Sequence, residues 1–223
     1  MVLTSYRKIK NRILFWKRCS EAVSFALHPL LMPTLLFSII LFFSPAAIGP
    51  MGDEAKRSFL TLIFIGTFIF PFFVITSYLM ITKRNFGVQD LLMKRKQDRF
   101  VPFFFAGVFY IGMAYMLYTS RLNKIVVLIM IGIGISAIIV AIISQFWKIS
   151  AHAVGINGII GYMVILGYVY PEDQLFYPVV AMVLLSGLVM SARLNLQVHK
   201  PMEVLGGAVL GFAISIVTLV LMA

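Results

Sequence analysis

Cysteine occurs once in the 223 residues, at Cys19. No disulfide can therefore close within the chain, no thiolate metal site can be built from it, and the redox state of its compartment leaves no mark on the sequence. Acidic residues are scarce as well: eight Asp and Glu stand against nineteen Lys and Arg, for a formal net charge of +11, and no carboxylate cluster appears anywhere. Charged residues of both signs make up only 12% of the chain, a composition no soluble domain of this length has. Also missing are a low-complexity linker, a repeat of 20 to 50 residues, and any polar insertion longer than the basic loop around 83–99.

What is abundant is hydrocarbon. Hydrophobic residues account for 61% of the sequence and the mean hydropathy is +0.99. A helix needs about 20 residues to cross a hydrocarbon core of about 30 Å, and at that window the chain reads as seven apolar segments: 22–45, 58–82, 100–119, 124–146, 151–170, 175–192 and 203–222. These are far longer than barrel strands, and backbone polar groups find no water in lipid, so the expected fold is all-α: a polytopic transmembrane helical bundle of six to seven spans. Residues 1–21 read as a basic N-terminal tail and 22–223 as a single transmembrane domain. Arg7, Lys8, Lys10, Arg12, Lys17 and Arg18 precede the first segment, but its apolar run is too long for a secretory signal, so it reads as a retained span or re-entrant anchor. The many Phe and Met read as lipid-facing or packing surface. "GIGIS" and "GAVLG" read as small-residue contacts that let helices approach.

Seven spans sort the polar segments onto two faces. One carries the N-terminus, the 83–99 loop, the 147–152 turn and the 193–203 turn, with fifteen Lys and Arg; the other carries four. The positive-inside rule makes the first face cytoplasmic. Attraction to anionic headgroups accounts for the tail, at roughly 1 kcal/mol per basic residue. The other basic clusters differ, because they coincide with every histidine except His28.

In "LLMKRKQDRFVP", Arg95 and Arg99 are four residues apart and would share a helix face, flanked by Lys94 and Lys96. In "FWKISAHAVG", Lys148, Ser150 and His152 lie at the mouth of the fifth span. In "SARLNLQVHKPMEVLGG", Arg193 precedes His199 by six residues and Glu203 follows it by four. At that spacing the carboxylate can accept the imidazole N–H and leave the other ring nitrogen unprotonated, which is how a histidine nucleophile is prepared. Pro201 suits the first turn of the last helix, so the pair would meet across a helix start. All three clusters fall on one membrane face. Cations with two histidines and one carboxylate suit an anion that undergoes chemistry, and phosphate is the obvious one.

These stretches carry a resemblance. "SARLNLQVHKPMEVLGG" resembles the third signature of the type 2 phosphatidic acid phosphatase (PAP2) superfamily, Ser-Arg, five residues, His, three residues, Asp. "KISAHAVG" resembles its second, Ser-Gly-His, and "KRKQDRFVP" its first, Lys, six residues, Arg-Pro. The likeness covers roughly residues 94–207. It implies a PAP2-like core and an integral membrane lipid phosphatase acting on a lipid phosphomonoester or polyprenyl diphosphate through a phosphohistidine. His199 would be the nucleophile, Glu203 its orienting carboxylate, and His152 the acid and then base. Arg193, Arg99, Arg95, Lys94 and Ser150 would hold the phosphoryl oxygens, aided by the backbone N–H near Ala151. No cofactor or metal is implied. The implied partners are a phosphorylated lipid and the membrane, with no nucleic acid; a homo-oligomer is compatible with the sequence. The expected location is a bacterial inner membrane, with the site face cytoplasmic by the charge count, although many bacterial members of the family present their site outside.

The chain departs from the family's pattern in several places. Glu203 stands where the family has aspartate, Ala151 where it has glycine, and Leu92 where it has the first lysine. Ala192 separates Ser191 from Arg193, and Pro102 lies three residues after Arg99. Two other readings stay open: an inactive protein of this architecture that binds or moves a phosphorylated lipid, and an unrelated small transporter with His28, Pro29, Pro33 and Pro71 at hinge or proton sites. On the residues alone, His28-Pro29 reads as an interfacial histidine at a helix kink.

Overall fold

The computed structural model describes residues 2–82 and 97–222, with side chains over 11–82 and 98–220. Among these residues the chain is helical without a strand, and seven helical segments are long and apolar enough to cross a membrane. The protein is an integral membrane protein, an all-α polytopic bundle, as the hydrophobic runs require.

The helices are α1 (Val2–Ala26), α2 (Met32–Phe43), α3 (Pro45–Ile48), α4 (Asp53–Phe64), α5 (Phe70–Thr82), α6 (Phe100–Thr119), α7 (Lys124–Phe146), α8 (Ala151–Val169), α9 (Phe176–Asn195) and α10 (Pro201–Met222). Polar signals set several boundaries. The Asn123 side chain accepts the Ile125 amide (2.9 Å) to start α7, Ser150 Oγ accepts the Ala153 amide (3.4 Å) to start α8, and Pro201 opens α10 with Glu203 in its first turn. The expected ends of α6 and α7 agree with those observed; α9 runs three residues further than expected and so carries Arg193 on its last turn.

Residues 2–21 are helical and continuous with the first apolar segment, since α1 runs unbroken to Ala26: it contains neither Gly nor Pro, and the first helix breaker is Pro29. The first span is a bent one, the end of α1 joined to α2 through the 3-10 turn Pro29–Leu31. The second span is α4 and α5 joined by a π-helical segment, Ile65–Ile69. Pro71 explains the widening. It has no N–H for the turn before it, and its ring crowds the carbonyl four residues back, that of Thr67. That carbonyl accepts the Tyr110 hydroxyl of α6 (3.0 Å), which ties the irregular helix to its neighbour.

α8 forms the centre, with Ile156, Met163 and Leu166 fully buried, and it packs most closely on α10. A Cβ on Gly207 would lie 2.6 Å from the Ser150 carbonyl, and one on Gly211 would collide with the Val154 carbonyl. "GAVLG" is thus a small-xxx-small contact, and it draws the starts of α8 and α10 together. The ends of α9 and α7 and the start of α6 meet them on the same side of the bundle. The opposite side carries the α6–α7 and α8–α9 turns and Ser44, whose hydroxyl donates to Asp173 (2.6 Å).

Candidate active site

Three consecutive residues in the turn between α7 and α8 hold the site together. The Lys148 carbonyl lies 3.0 Å from His199 Nδ1. The Ile149 carbonyl accepts Arg99 Nη1 at 2.9 Å. The Ser150 amide donates to the Glu203 carbonyl at 3.0 Å. Two of these bonds fasten the third sequence cluster and one fastens the first to the turn that carries the second, so the three clusters meet at one place.

His199 immediately precedes the first turn of α10 and is buried. Its Nδ1 faces two acceptors, the Lys148 carbonyl and Glu203 Oε2 at 3.1 Å. An atom between two acceptors must carry the hydrogen, so in the neutral ring Nε2 bears the lone pair. Glu203 Oε2 also accepts the Lys200 amide at 3.1 Å, the reach-back of a capping box from the third helical position. The pair therefore meets across the helix start, as Pro201 suggested. Burial, and then the nearby positive charges of Arg99 and Arg193, push the His199 pKa from 6.5 down to about 4, against the opposing bonds to Glu203 and the Lys148 carbonyl. The imidazole is thus neutral at physiological pH, with a free nucleophilic nitrogen.

Arg99 is buried, with its guanidinium over the Phe103 ring at 5.4 Å. Burial, and then the charge of Arg193, lower its pKa to about 10 while Glu203 opposes the shift, so it stays cationic at neutral pH. Arg193 lies within electrostatic reach of Arg99, His199, His152 and His28. Among the described residues, Nε of Arg99 and Nε of Arg193 are buried without a hydrogen-bond partner, and no carboxylate pairs with either guanidinium. Glu203 is engaged by His199 and Lys200. Two desolvated cations with unused donors make a seat for an anion.

His152 stands in the first turn of α8, and its Nε2 lies 3.0 Å from the Ser24 carbonyl of α1. That carbonyl can only accept, so Nε2 carries a hydrogen and Nδ1 is left to gain or lose a proton. Ser150 is fully buried, with its hydroxyl accepting at the α8 cap and its amide given to Glu203. Arg95 and Lys94 lie outside the described residues. Among those described, no group of three or more His, Cys, Asp or Glu is placed to hold a metal ion.

Reasoning from sequence missed the backbone carbonyls of Ser24, Lys148 and Ile149, which no side-chain pattern can reveal. It also missed His28. The residue does sit at the expected helix break, yet its ring lies edge to face with that of His152, centroids 5.9 Å apart. α1 adds further ties, since Asn195 Nδ2 at the end of α9 donates to Ser20 Oγ (2.8 Å) and to the Trp16 carbonyl (3.3 Å). Comparisons with protein-family models, curated proteins and solved structures find no match to this chain.

Proposed function

We propose that this chain is an integral membrane lipid phosphatase, with a PAP2-like core, that cleaves a lipid phosphomonoester or polyprenyl diphosphate through a phosphohistidine. The observation that carries the reading is His199: its Nδ1–H is held by Lys148 and Glu203, its Nε2 is free, and two guanidiniums whose Nε atoms have no hydrogen-bond partner among the described residues lie close by. In the first half-reaction the Nε2 lone pair forms a bond to phosphorus while the bond from phosphorus to the leaving oxygen breaks, and His152, which takes up a proton at Nδ1 as the anionic substrate binds, gives that proton to the leaving oxygen. In the second, His152 Nδ1 takes a proton from water, the oxygen attacks phosphorus, and the P–N bond returns its electrons to Nε2. Arg99 and Arg193 neutralise charge on the phosphoryl oxygens throughout.

An apolar cavity favours a lipid over a soluble ester. It is lined by Pro29, which follows His28, by Phe103, which lies under the Arg99 guanidinium, and by Ala151, which precedes His152, and it extends between α2, α6, α7 and α8 to Tyr110 and Tyr162. A hydrocarbon tail lying there would place its phosphate among the arginines.

A second reading, a non-hydrolytic protein that binds or moves a phosphorylated lipid, draws on Leu92 standing where the resembled family has lysine. Phosphate release by the purified protein in detergent, with chelator and no added metal, from phosphatidic acid, phosphatidylglycerol phosphate and a polyprenyl diphosphate separates the two. Turnover of at least one lipid, together with an alkali-stable, acid-labile phosphoryl-protein, is the expected result. Tight binding without turnover would establish the second reading instead.

We infer that the site lies on the cytoplasmic face of a bacterial inner membrane, because fifteen of the nineteen Lys and Arg fall in the sequence segments that counting spans assigns to that face. A single cysteine at Gln174, in protein lacking Cys19, should label from outside intact cells and one at Gln97 should not. The opposite pattern would invert the orientation.

A further inference from the structure

The chain has three histidines, and the reaction described above uses two of them. The third, His28, lies at the break between α1 and α2, and two hydrogen bonds determine what its ring can offer. His28 Nδ1 accepts the Leu30 amide at 3.3 Å, which caps the 3-10 turn. The neutral ring therefore carries its hydrogen on Nε2, and among the described residues that hydrogen has no acceptor. The neighbouring His152 is arranged the other way round, its Nε2–H spent on Ser24 and its Nδ1 unprotonated. The two rings lie edge to face at 5.9 Å, and Arg193 is within electrostatic reach of both.

A kink needs only the proline, and a cap needs only an acceptor at the Nδ1 position. Neither role calls for a second ring nitrogen that brings a donor within electrostatic reach of Arg193, whose Nε, like that of Arg99, has no hydrogen-bond partner among the described residues. Donors that converge without an acceptor are explained by an anion that supplies one.

We propose that His28 is the third ligand of the anion seat, donating from Nε2 to an oxygen of the phosphoryl group held by Arg193 and Arg99. The inference rests on the phosphate site proposed above and extends it to the N-terminal span, outside the stretch that resembles the phosphatase signatures. No proton leaves His28 in this role; it contributes one hydrogen bond to the bound group.

Two substitutions separate the ligand from the cap. His28→Asn places an amide oxygen near the Nδ1 position, where it still accepts from Leu30, but leaves nothing at Nε2. His28→Gln reaches the Nε2 position with an N–H and gives up the cap. Inorganic phosphate binding to the purified full chain, followed by titration calorimetry, is measured beside melting temperature and beside release from the lipid panel.

The proposal expects His28→Asn to melt like the wild type yet bind phosphate about tenfold or more weakly, and His28→Gln to keep phosphate affinity within about threefold. It expects the same order in KM for the lipid substrate. The reverse order, equal losses accompanied by a lowered melting temperature, unchanged affinity in both variants, or no phosphate binding by the wild type would each overturn it. If the wild type binds inorganic phosphate but releases none from any lipid, the phosphatase reading fails, and the Asn and Gln pair still decides whether His28 is a ligand.

Discussion

Replacing His199 with alanine is expected to lower phosphate release by about 10⁴-fold or more, because the proposed covalent bond to phosphorus forms at its Nε2 and His152 Nδ1 is committed to proton transfer. His152 Nε2 is occupied by Ser24, and His28 has its lone pair engaged by the Leu30 amide. Alanine also removes the hydrogen bonds that His199 Nδ1 gives to the Lys148 carbonyl and to Glu203, at a cost of about 1 kcal/mol or more, so lost activity alone could reflect a damaged fold. His199→Asn removes the ambiguity. Its amide N–H sits near the Nδ1 position and can still donate to Lys148 or Glu203, while nothing replaces Nε2. Both variants should be inactive and form no phosphoryl-protein, and the asparagine variant should melt close to the wild type. Full activity in either variant would exclude His199 as the nucleophile.

The protonation state of His199 adds a pH expectation. A nucleophilic nitrogen is lost when it is protonated, so a pKa depressed from 6.5 to about 4 keeps Nε2 available at neutral and mildly acidic pH. The limb of kcat/KM that reports the nucleophile in the free protein should then fall near pH 4. Removing one of the charges that depress the pKa, as in Arg193→Gln, should move that limb upward while weakening phosphate binding.

The membrane spans could be read from the sequence because lipid imposes a single requirement, about 20 apolar residues in a helix. α6 and α7 accordingly begin and end where hydropathy placed them. The N-terminal boundary was drawn where charge gives way to hydrocarbon, but helix α1 passes through that point, since charge decides burial and only Pro29 breaks the backbone. In the site, the meeting of His199 with Glu203 was visible as an i, i+4 spacing, and the shared membrane face of the three clusters followed from counting spans. The bonds that hold the clusters together were not visible. They run through the carbonyls of Ser24, Lys148 and Ile149 and the amide of Ser150, groups every residue possesses. His28 was hidden for a related reason: its partner His152 is 124 positions away in the sequence, and only the packing of the bent first span against α8 joins them.

Glu203→Asp should lower phosphate release by about a hundredfold, although aspartate is the residue found in the signature that this stretch resembles. The backbone of Glu203 is pinned. Its carbonyl accepts from Ser150, its amide donates to the Lys200 carbonyl at 3.0 Å, and Gly207 one turn later is pressed against the Ser150 carbonyl. Removing a methylene pulls the carboxylate back by about 1.5 Å, and a helix held at three points cannot advance to recover the distance. His199 Nδ1 and the Lys200 amide would then lose a common acceptor, and a misplacement near 1 Å at a reacting group costs about a hundredfold in rate. Glu203→Gln tests a different component, because its amide oxygen still reaches both donors and the Lys148 carbonyl still holds the Nδ1 hydrogen. The tautomer survives and only the negative charge facing the phosphorylated imidazole is lost. A charge-assisted hydrogen bond contributes about 1.5–3 kcal/mol, so the glutamine variant should slow by about 10- to 100-fold while keeping the α10 cap and the wild-type melting temperature. The aspartate variant should melt lower. An aspartate variant as active as the wild type would mean that the start of α10 is free to move, and that the pairing seen at His199 is not the geometry on which turnover depends.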